Sequence, residues 1–376
     1  MKNEGESVGK IESVGKIRVL VVDDSAFMRV LISDMLSSDD EIEVVGVARN
    51  GEEAVKKALS LHPDVITMDV DMPKMDGITA VERIMEKEPI PVVMLSGYTK
   101  RNAKITIKAL ERGAFDFVAK PSGELSLDID KVRSEIITKI KNAFLVRDNI
   151  SLFIERRRRR LRHAGADISV STVMSERPAV RTENKISEKV VVIGASTGGP
   201  SAISEVISHI PADIHAGILI VQHMPAGFTK SFAERLNEIA EINVKEGTYD
   251  DVIRDGCAIV APGGYHMVVK DRGKVGLSKR PPVNAVRPSV DVTMISASAV
   301  YGAKTIGVVL TGMGRDGADG VRKVKERGGM TIACDESTSL IFGMPRAAIE
   351  TGCVDEILPL HAIGRAIVRA VERVGS

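Results

Sequence analysis

Tryptophan is absent and aromatic residues make up only 3% of the 376-residue chain, so no row of rings is available on which bases could stack. Cysteine is scarce as well. Cys257, Cys334 and Cys353 are the only three, they lie far apart, and no C-x-x-C pair occurs. That excludes a disulfide framework and a paired-thiolate zinc site, and makes a reduced, cytoplasmic setting the expectation. An excess of one charge is lacking too: 52 Lys and Arg stand against 51 Asp and Glu, a formal net charge of +1. No global field draws the chain to nucleic acid or to an anionic membrane. No apolar run is long enough to span a bilayer and no signal-peptide core is seen, so membrane insertion is not expected.

What is present is an ordinary globular balance, 44% hydrophobic and 27% charged, over a length that suggests two or three domains. Residues 6–11 and 12–17 form a small tandem repeat, Glu-Ser-Val-Gly-Lys-Ile twice. The second copy runs into the first strand, and residues 1–16 are expected to be a disordered extension. Residues 17–145 alternate short apolar runs with helical periodicity. Strands are predicted at 18–22, 43–47, 65–68, 91–95 and 115–118, with helices near 26–37, 51–61, 77–87 and 103–111 and from about 128. Five βα units mean a doubly wound parallel sheet, whose site lies beyond the carboxyl ends of its strands.

Acidic residues fall at those ends. Asp23 and Asp24 follow the first strand, Asp69 ends the third, and Asp71 follows on its loop; Ser96 and Lys120 end the fourth and fifth. Converging carboxylates repel one another unless a hard divalent ion such as Mg2+ relieves them through oxygen ligands. The Lys120–Pro121 bond is a candidate cis peptide.

In residues 146–187 the periodicity stops. Arg156 to Arg160 form a run of five arginines, and residues 164–185 are rich in small and charged side chains. This reads as an interdomain connector, and the arginines as a solvated tether.

Residues 188–376 resume the alternation. Val190 to Ile193 are four β-branched residues in a row, and Gly194-Ala195-Ser196-Thr197-Gly198-Gly199-Pro200 follows. That is strand, sharp turn, helix, with Ser196 on the turn in the G-x-S-x-G pattern of a nucleophile elbow. A Gly-rich turn with a capping Ser, or a phosphate cradle, is the simpler reading of this stretch alone. Two more residues join it. His223 follows the buried strand 217–221 and Asp316 the buried strand 305–310. Nucleophile, general base and orienting carboxylate would then share one sheet edge, His223 taking the Ser196 proton and Asp316 fixing the imidazole tautomer. His266, after a Gly-rich turn, is a second choice for the base. The order Ser, His, Asp differs from the Ser, Asp, His of the α/β-hydrolases.

Two resemblances cover nearly the whole chain. Val22-Asp23-Asp24-Ser25, Asp69 to Gly77, Leu95-Ser96 and Lys120-Pro121 resemble a response-regulator receiver domain. This implies that Asp69 accepts a phosphoryl group from a chemotaxis histidine kinase. It also implies that Asp23, Asp24, Asp69 and the Asp71 backbone carbonyl hold Mg2+, and that Ser96, Lys120 and Phe117 form the phosphoryl switch. Gly194 to Pro200, Gln222-His223-Met224-Pro225, Ala261-Pro262-Gly263, Arg287 to Asp291 and Thr311 to Gly317 resemble the CheB family of chemotaxis methylesterases. The implied architecture is α/β throughout, a flavodoxin-like receiver linked to a Rossmann-like methylesterase domain. The implied activity is hydrolysis of glutamyl methyl esters and deamidation of glutamines on methylated chemoreceptors. Ser196, His223 and Asp316 match the family triad, and no cofactor is expected there. Beside it, the Thr197 N–H is expected to serve as an oxyanion donor, with Met313 lining the site. The receiver is expected to cover the Ser196 edge until Asp69 is phosphorylated. The rival reading is a non-enzymatic phospho-switch driving a binding module.

Overall fold

A computed structural model describes residues 15–120, 127–147, 150 and 185–375. The residue 1–14 part of the repeat, Pro121 and the arginine run at 156–160 lie outside the described residues. The first half runs β1 (Ile17–Val22), α1 (Ala26–Ser37), β2 (Ile42–Ala48), α2 (Gly51–Leu61), β3 (Val65–Asp69), α3 (Gly77–Lys87), β4 (Val92–Ser96), α4 (Lys100–Glu111), β5 (Asp116–Ala119) and α5 (Leu127–Leu145). Its sheet is parallel with order β2-β1-β3-β4-β5. Caps set the helix starts: Ser25, Asn50, Asp76 and Thr99 each accept a backbone N–H of the first turn. Thr99 starts α4 three residues earlier than the apolar periodicity alone suggests.

The second half runs β6 (Val190–Ala195), α6 (Gly199–Ile207), β7 (Gly217–Gln222), α7 (Phe228–Ile239), β8 (Asn243–Glu246), β9 (Cys257–Val260), β10 (His266–Lys270), β11 (Lys274–Ser278), α8 (Val290–Tyr301), β12 (Thr305–Val309), α9 (Ala318–Glu326), β13 (Met330–Cys334), α10 (Met344–Ile349), β14 (Glu356–Leu358) and α11 (Leu360–Arg373). Seven parallel strands take the order β14-β13-β12-β6-β7-β9-β8. β6 and β7 are buried along their whole length, as unbroken apolar runs in a sheet covered on both faces must be. The chain starts in the middle at β6, winds outward through β7, and later returns to β12 on the other side. The switch point, where a crevice opens at the carboxyl edge, is therefore between β6 and β12.

The antiparallel pair β10–β11 stands apart from that sheet. Residues 261–266 read as a turn in the sequence, and five-residue strands broken by Asp271-Arg272-Gly273 carry too little alternation to be seen.

Phe228 and Phe232 on α7 are among the largest fully buried side chains of the second half. Phe232→Ala leaves a cavity beneath the sheet and is expected to destabilise the fold by about 3–5 kcal/mol. Urea unfolding of the full chain, followed by circular dichroism, checks this through a lowered midpoint.

Candidate active site

The Ser196 turn is built by close approach. Gly198 takes φ 76°, and a Cβ on Gly199 would stand 1.9 Å from Gln222 Oε1. Only glycine lets α6 start so near β7. A Cβ on Gly312 would likewise stand 2.7 Å from Ser196 Cβ. Ser196 N–H donates to Thr311 O at 3.0 Å, and His223 N–H to Ala195 O at 3.1 Å. The loops after β6, β7 and β12 are thus laced together at one edge.

On that edge His223 Nε2 donates to Asp316 Oδ2 at 2.7 Å. Asp316 is 2% exposed. Its remaining acceptor capacity is filled by Val290 N–H at 2.6 Å, Ser289 Oγ at 2.7 Å, Asp291 N–H at 3.1 Å and Asn284 Nδ2 at 3.3 Å. Burial works against its charge. The His223 hydrogen bond and charge, the Val290 N–H and the Ser289 hydroxyl outweigh burial and hold its carboxyl below the usual range. With Nε2 engaged by Asp316, the other imidazole nitrogen, Nδ1, is left for a reacting group.

Ser196 is partly exposed on its turn, and its hydroxyl makes no hydrogen bond to His223 among the described residues. Proton transfer therefore requires a rotation about the Ser196 side chain or substrate-driven tightening, both common before a ligand binds. His266, the second choice for the base, sits 1% exposed with Nε2 on Pro281 O at 3.0 Å, and forms no ion pair with a carboxylate among the described residues. Met313 is half-exposed at the rim.

Gln222 was not singled out by the sequence. Its Nε2 donates to Ser196 O at 2.9 Å and His223 O at 3.1 Å, bridging the two loops. Its place at the end of a fully apolar strand, next to His223, was the available signal.

At the carboxyl edge of the first sheet, ligand oxygens of Asp23, Asp24 and Asp69 lie within 4.8 Å of one another. An all-oxygen set of this kind fits Mg2+. Lys120 Nζ reaches Asp23 Oδ2 and Asp69 Oδ1, each at 2.7 Å. Burial raises the Asp69 carboxyl above its ordinary value, with Lys120 pulling the other way. The Asp71 carboxylate is turned outward, 3.7 Å from Arg101. The Ser96 hydroxyl is fully buried against Thr106 Oγ1 at 2.7 Å, not against Asp69.

The Ser196 edge meets the first domain on its α4–β5 side. Thr197 Oγ1, one residue past Ser196, donates to Asp116 Oδ2 at 2.6 Å. Ser201 Oγ donates to Leu110 O at 3.1 Å. The Phe117 ring lies 4.5 Å from that of Phe228, at the start of α7. Around this contact, Arg235 pairs with Glu111 at 2.8 Å and Glu234 with Lys104 at 2.9 Å.

An acidic pocket on one doubly wound sheet, in a domain whose α4–β5 side packs against the nucleophile–imidazole–carboxylate edge of another, defines a receiver-controlled hydrolase. The comparisons narrow this. A family model for the response regulator receiver domain matches residues 19–129, and one for the CheB methylesterase matches residues 191–367. The chain is 49% identical over 362 residues to the protein-glutamate methylesterase/protein-glutamine glutaminase of Pyrococcus abyssi, covering 96% of this chain and 95% of that protein. It is 46% identical over 362 residues to the protein of the same name from Symbiobacterium thermophilum, covering 94% and 97%. Among solved structures, the CheB methylesterase catalytic domain of Thermotoga maritima is 45% identical, covering 48% of this chain and 97% of that one, with a TM-score of 0.47. The chain belongs to the CheB methylesterase family.

Saturating Mg2+ is expected to raise the thermal midpoint of the full chain, because the ion binds only the folded receiver. Asp23→Asn is expected to abolish that rise; calorimetry with and without the ion reads it.

Proposed function

We propose that this chain is a protein-glutamate methylesterase and protein-glutamine glutaminase gated by its receiver, acting on methylated chemoreceptors. The 2.7 Å bond from His223 Nε2 to Asp316, on the edge that carries Ser196, is the observation that carries the reading. In the proposed reaction, Ser196 Oγ attacks the glutamyl carbonyl while His223 Nδ1 takes its proton. Asp316 steadies the imidazolium that forms. The Thr197 N–H at the helix entrance stabilises the oxyanion, with Met313 lining the site. His223 then returns the proton to the departing methoxide, and methanol leaves an acyl-enzyme that water hydrolyses by the same route in reverse. A glutamine amide follows the same path and releases ammonia. No cofactor is needed at this edge.

The receiver reading is of the same kind. Asp69 accepts a phosphoryl group from a chemotaxis histidine kinase. Mg2+ would be held by Asp23, Asp24, Asp69 and the Asp71 carbonyl, supplying charge neutralisation. Phosphorylation adds nearly two negative charges at Asp69; Lys120, already 2.7 Å from Asp69, pairs with them, and the Ser96 hydroxyl turns toward them. Phe117, stacked on Phe228, and Asp116, holding Thr197, then lose their places against the esterase edge, and the receiver releases it. A gap of a few kcal/mol between two packings suffices. In this scheme residues 17–145 are the receiver, 146–187 the connector and 188–376 the catalytic domain, with 1–16 an extension. Among the described residues no helix is long and apolar enough to cross a membrane. In this reading the substrate is a membrane-bound receptor's cytoplasmic segment, met in the cytoplasm.

Methanol release from methylated receptor membranes tests the chemistry. Ser196→Ala is expected to lower it by about a thousandfold or more, and Asp316→Asn by about a hundredfold or more. Equal release by wild type and Ser196→Ala would leave only the binding-module reading. The gate is tested by charge reversal at its rim. Arg235→Glu is expected to raise unphosphorylated activity several-fold, and Glu111→Arg in the same chain to restore the low level; assays with and without a phosphodonor read both.

A further inference from the structure

Asp291 takes no part in the steps above, yet it is buried against them. It is the second residue of α8 and is 3% exposed. Its backbone N–H donates to Asp316 Oδ1 at 3.1 Å, which sets the two carboxyl groups side by side. Asn284 Nδ2 donates to both, at 2.8 Å to Asp291 Oδ2 and 3.3 Å to Asp316 Oδ1. Asp291 Oδ1 accepts the N–H groups of Gly317 and Gly320, at 2.9 and 2.7 Å. The segment immediately after Asp316 is thus pinned to Asp291.

The charges around this pair are few. Asp319 on α9 faces Asp291 with the same sign, and Arg315 is turned to Asp319 at 3.7 Å. His223 lies on the far side of Asp316 and is the one ion-pair partner of either carboxylate among the described residues. Two buried carboxylates held by one shared amide, with no Lys or Arg paired to them among the described residues, repel each other, which favours the neutral acid on one of them. Hydrogen-bond supply decides which keeps the proton. Asp316 has the imidazole, two backbone N–H groups, a hydroxyl and a shared amide. Asp291 has two backbone N–H groups and the shared amide. The anion therefore rests on Asp316. Burial, and then the Asp316 charge, raise the Asp291 carboxyl well above its ordinary range, in the same sense.

We propose that Asp291 is a positioning residue for the triad: it stays protonated beside Asp316, gives that carboxylate a hydrogen bond, and leaves it the single anion that orients His223. The proposal rests on the acyl-transfer reading of the site. An ionised Asp291 would put a second negative charge behind Asp316, hold the imidazolium more tightly, and demand a higher pH before His223 could act as a base.

The test uses the full chain as wild type and as Asp291→Asn, which keeps the shape and carries no charge. Infrared difference spectra at neutral pH are expected to show a carboxylic-acid carbonyl band in wild type that Asp291→Asn lacks. In methanol-release assays Asp291→Asn, neutral like the protonated acid it replaces, is expected to leave the acid limb of kcat/KM at its wild-type pH. Its plateau should stay within about tenfold of wild type. Should Asp291→Asn misfold, Asp291→Ser, a smaller hydroxyl donor, takes its place. An active wild type with no such band, or an acid limb that moves to lower pH in Asp291→Asn as the loss of an ionised neighbour would make it, overturns the proposal. The infrared measurement needs no turnover, so a band present in a chain without esterase activity counts against the functional reading and not against the shared proton.

Discussion

The catalytic half depends on the crevice between β6 and β12. The sheet is entered in its middle and wound in both directions from there, so the loops after its two central strands diverge to opposite faces and leave room at their carboxyl ends. Ser196 closes one side of that room and the Asp316 loop the other. β7 adds His223 from the next position along. Tight glycines at Gly198, Gly199 and Gly312 let these loops approach until backbone groups bond across them. The His223–Asp316 bond is a consequence of that spacing, and the chemistry proposed here is a consequence of the bond.

The two sheet edges of the molecule use buried carboxylates in opposite ways. On the receiver, Asp23 and Asp69 converge on Lys120 and leave an all-oxygen pocket open to a hard cation. On the esterase, Asp316 is closed off by a helix start, a hydroxyl and an imidazole. The first arrangement suits a charge that arrives and departs. The second suits a fixed charge that must hold a neighbour through a reaction. Between the two domains lie the Asp116–Thr197 and Phe117–Phe228 contacts, with the Arg235–Glu111 and Glu234–Lys104 pairs around them.

Much of this was legible in the sequence, for physical reasons. Ser196, His223 and Asp316 each follow an unbroken apolar run, and in parallel sheets such runs deliver the next residue to the working edge. The acidic ends of the receiver strands are readable in the same way. Other features depend on packing, which leaves no periodic trace. Asp291 looks like any acidic residue in a first helical turn. Asp116 looks like a strand-entry residue until the second domain is laid against it. Gln222 reads as the polar end of a strand, and its bridge between two loops appears only when both are in place. The Thr99 cap, which sets where α4 begins, was a local signal outweighed by the more regular spacing that follows it.

The central claim is that Ser196 forms a covalent acyl intermediate. Rapid acid quench of the full-length enzyme with a methylated receptor peptide, followed by peptide mass analysis, tests it most directly. The expected result is a glutamyl adduct on the peptide that contains Ser196, appearing together with a burst of methanol and absent from Ser196→Ala. Methanol release without an adduct, or an adduct on another residue, would contradict it.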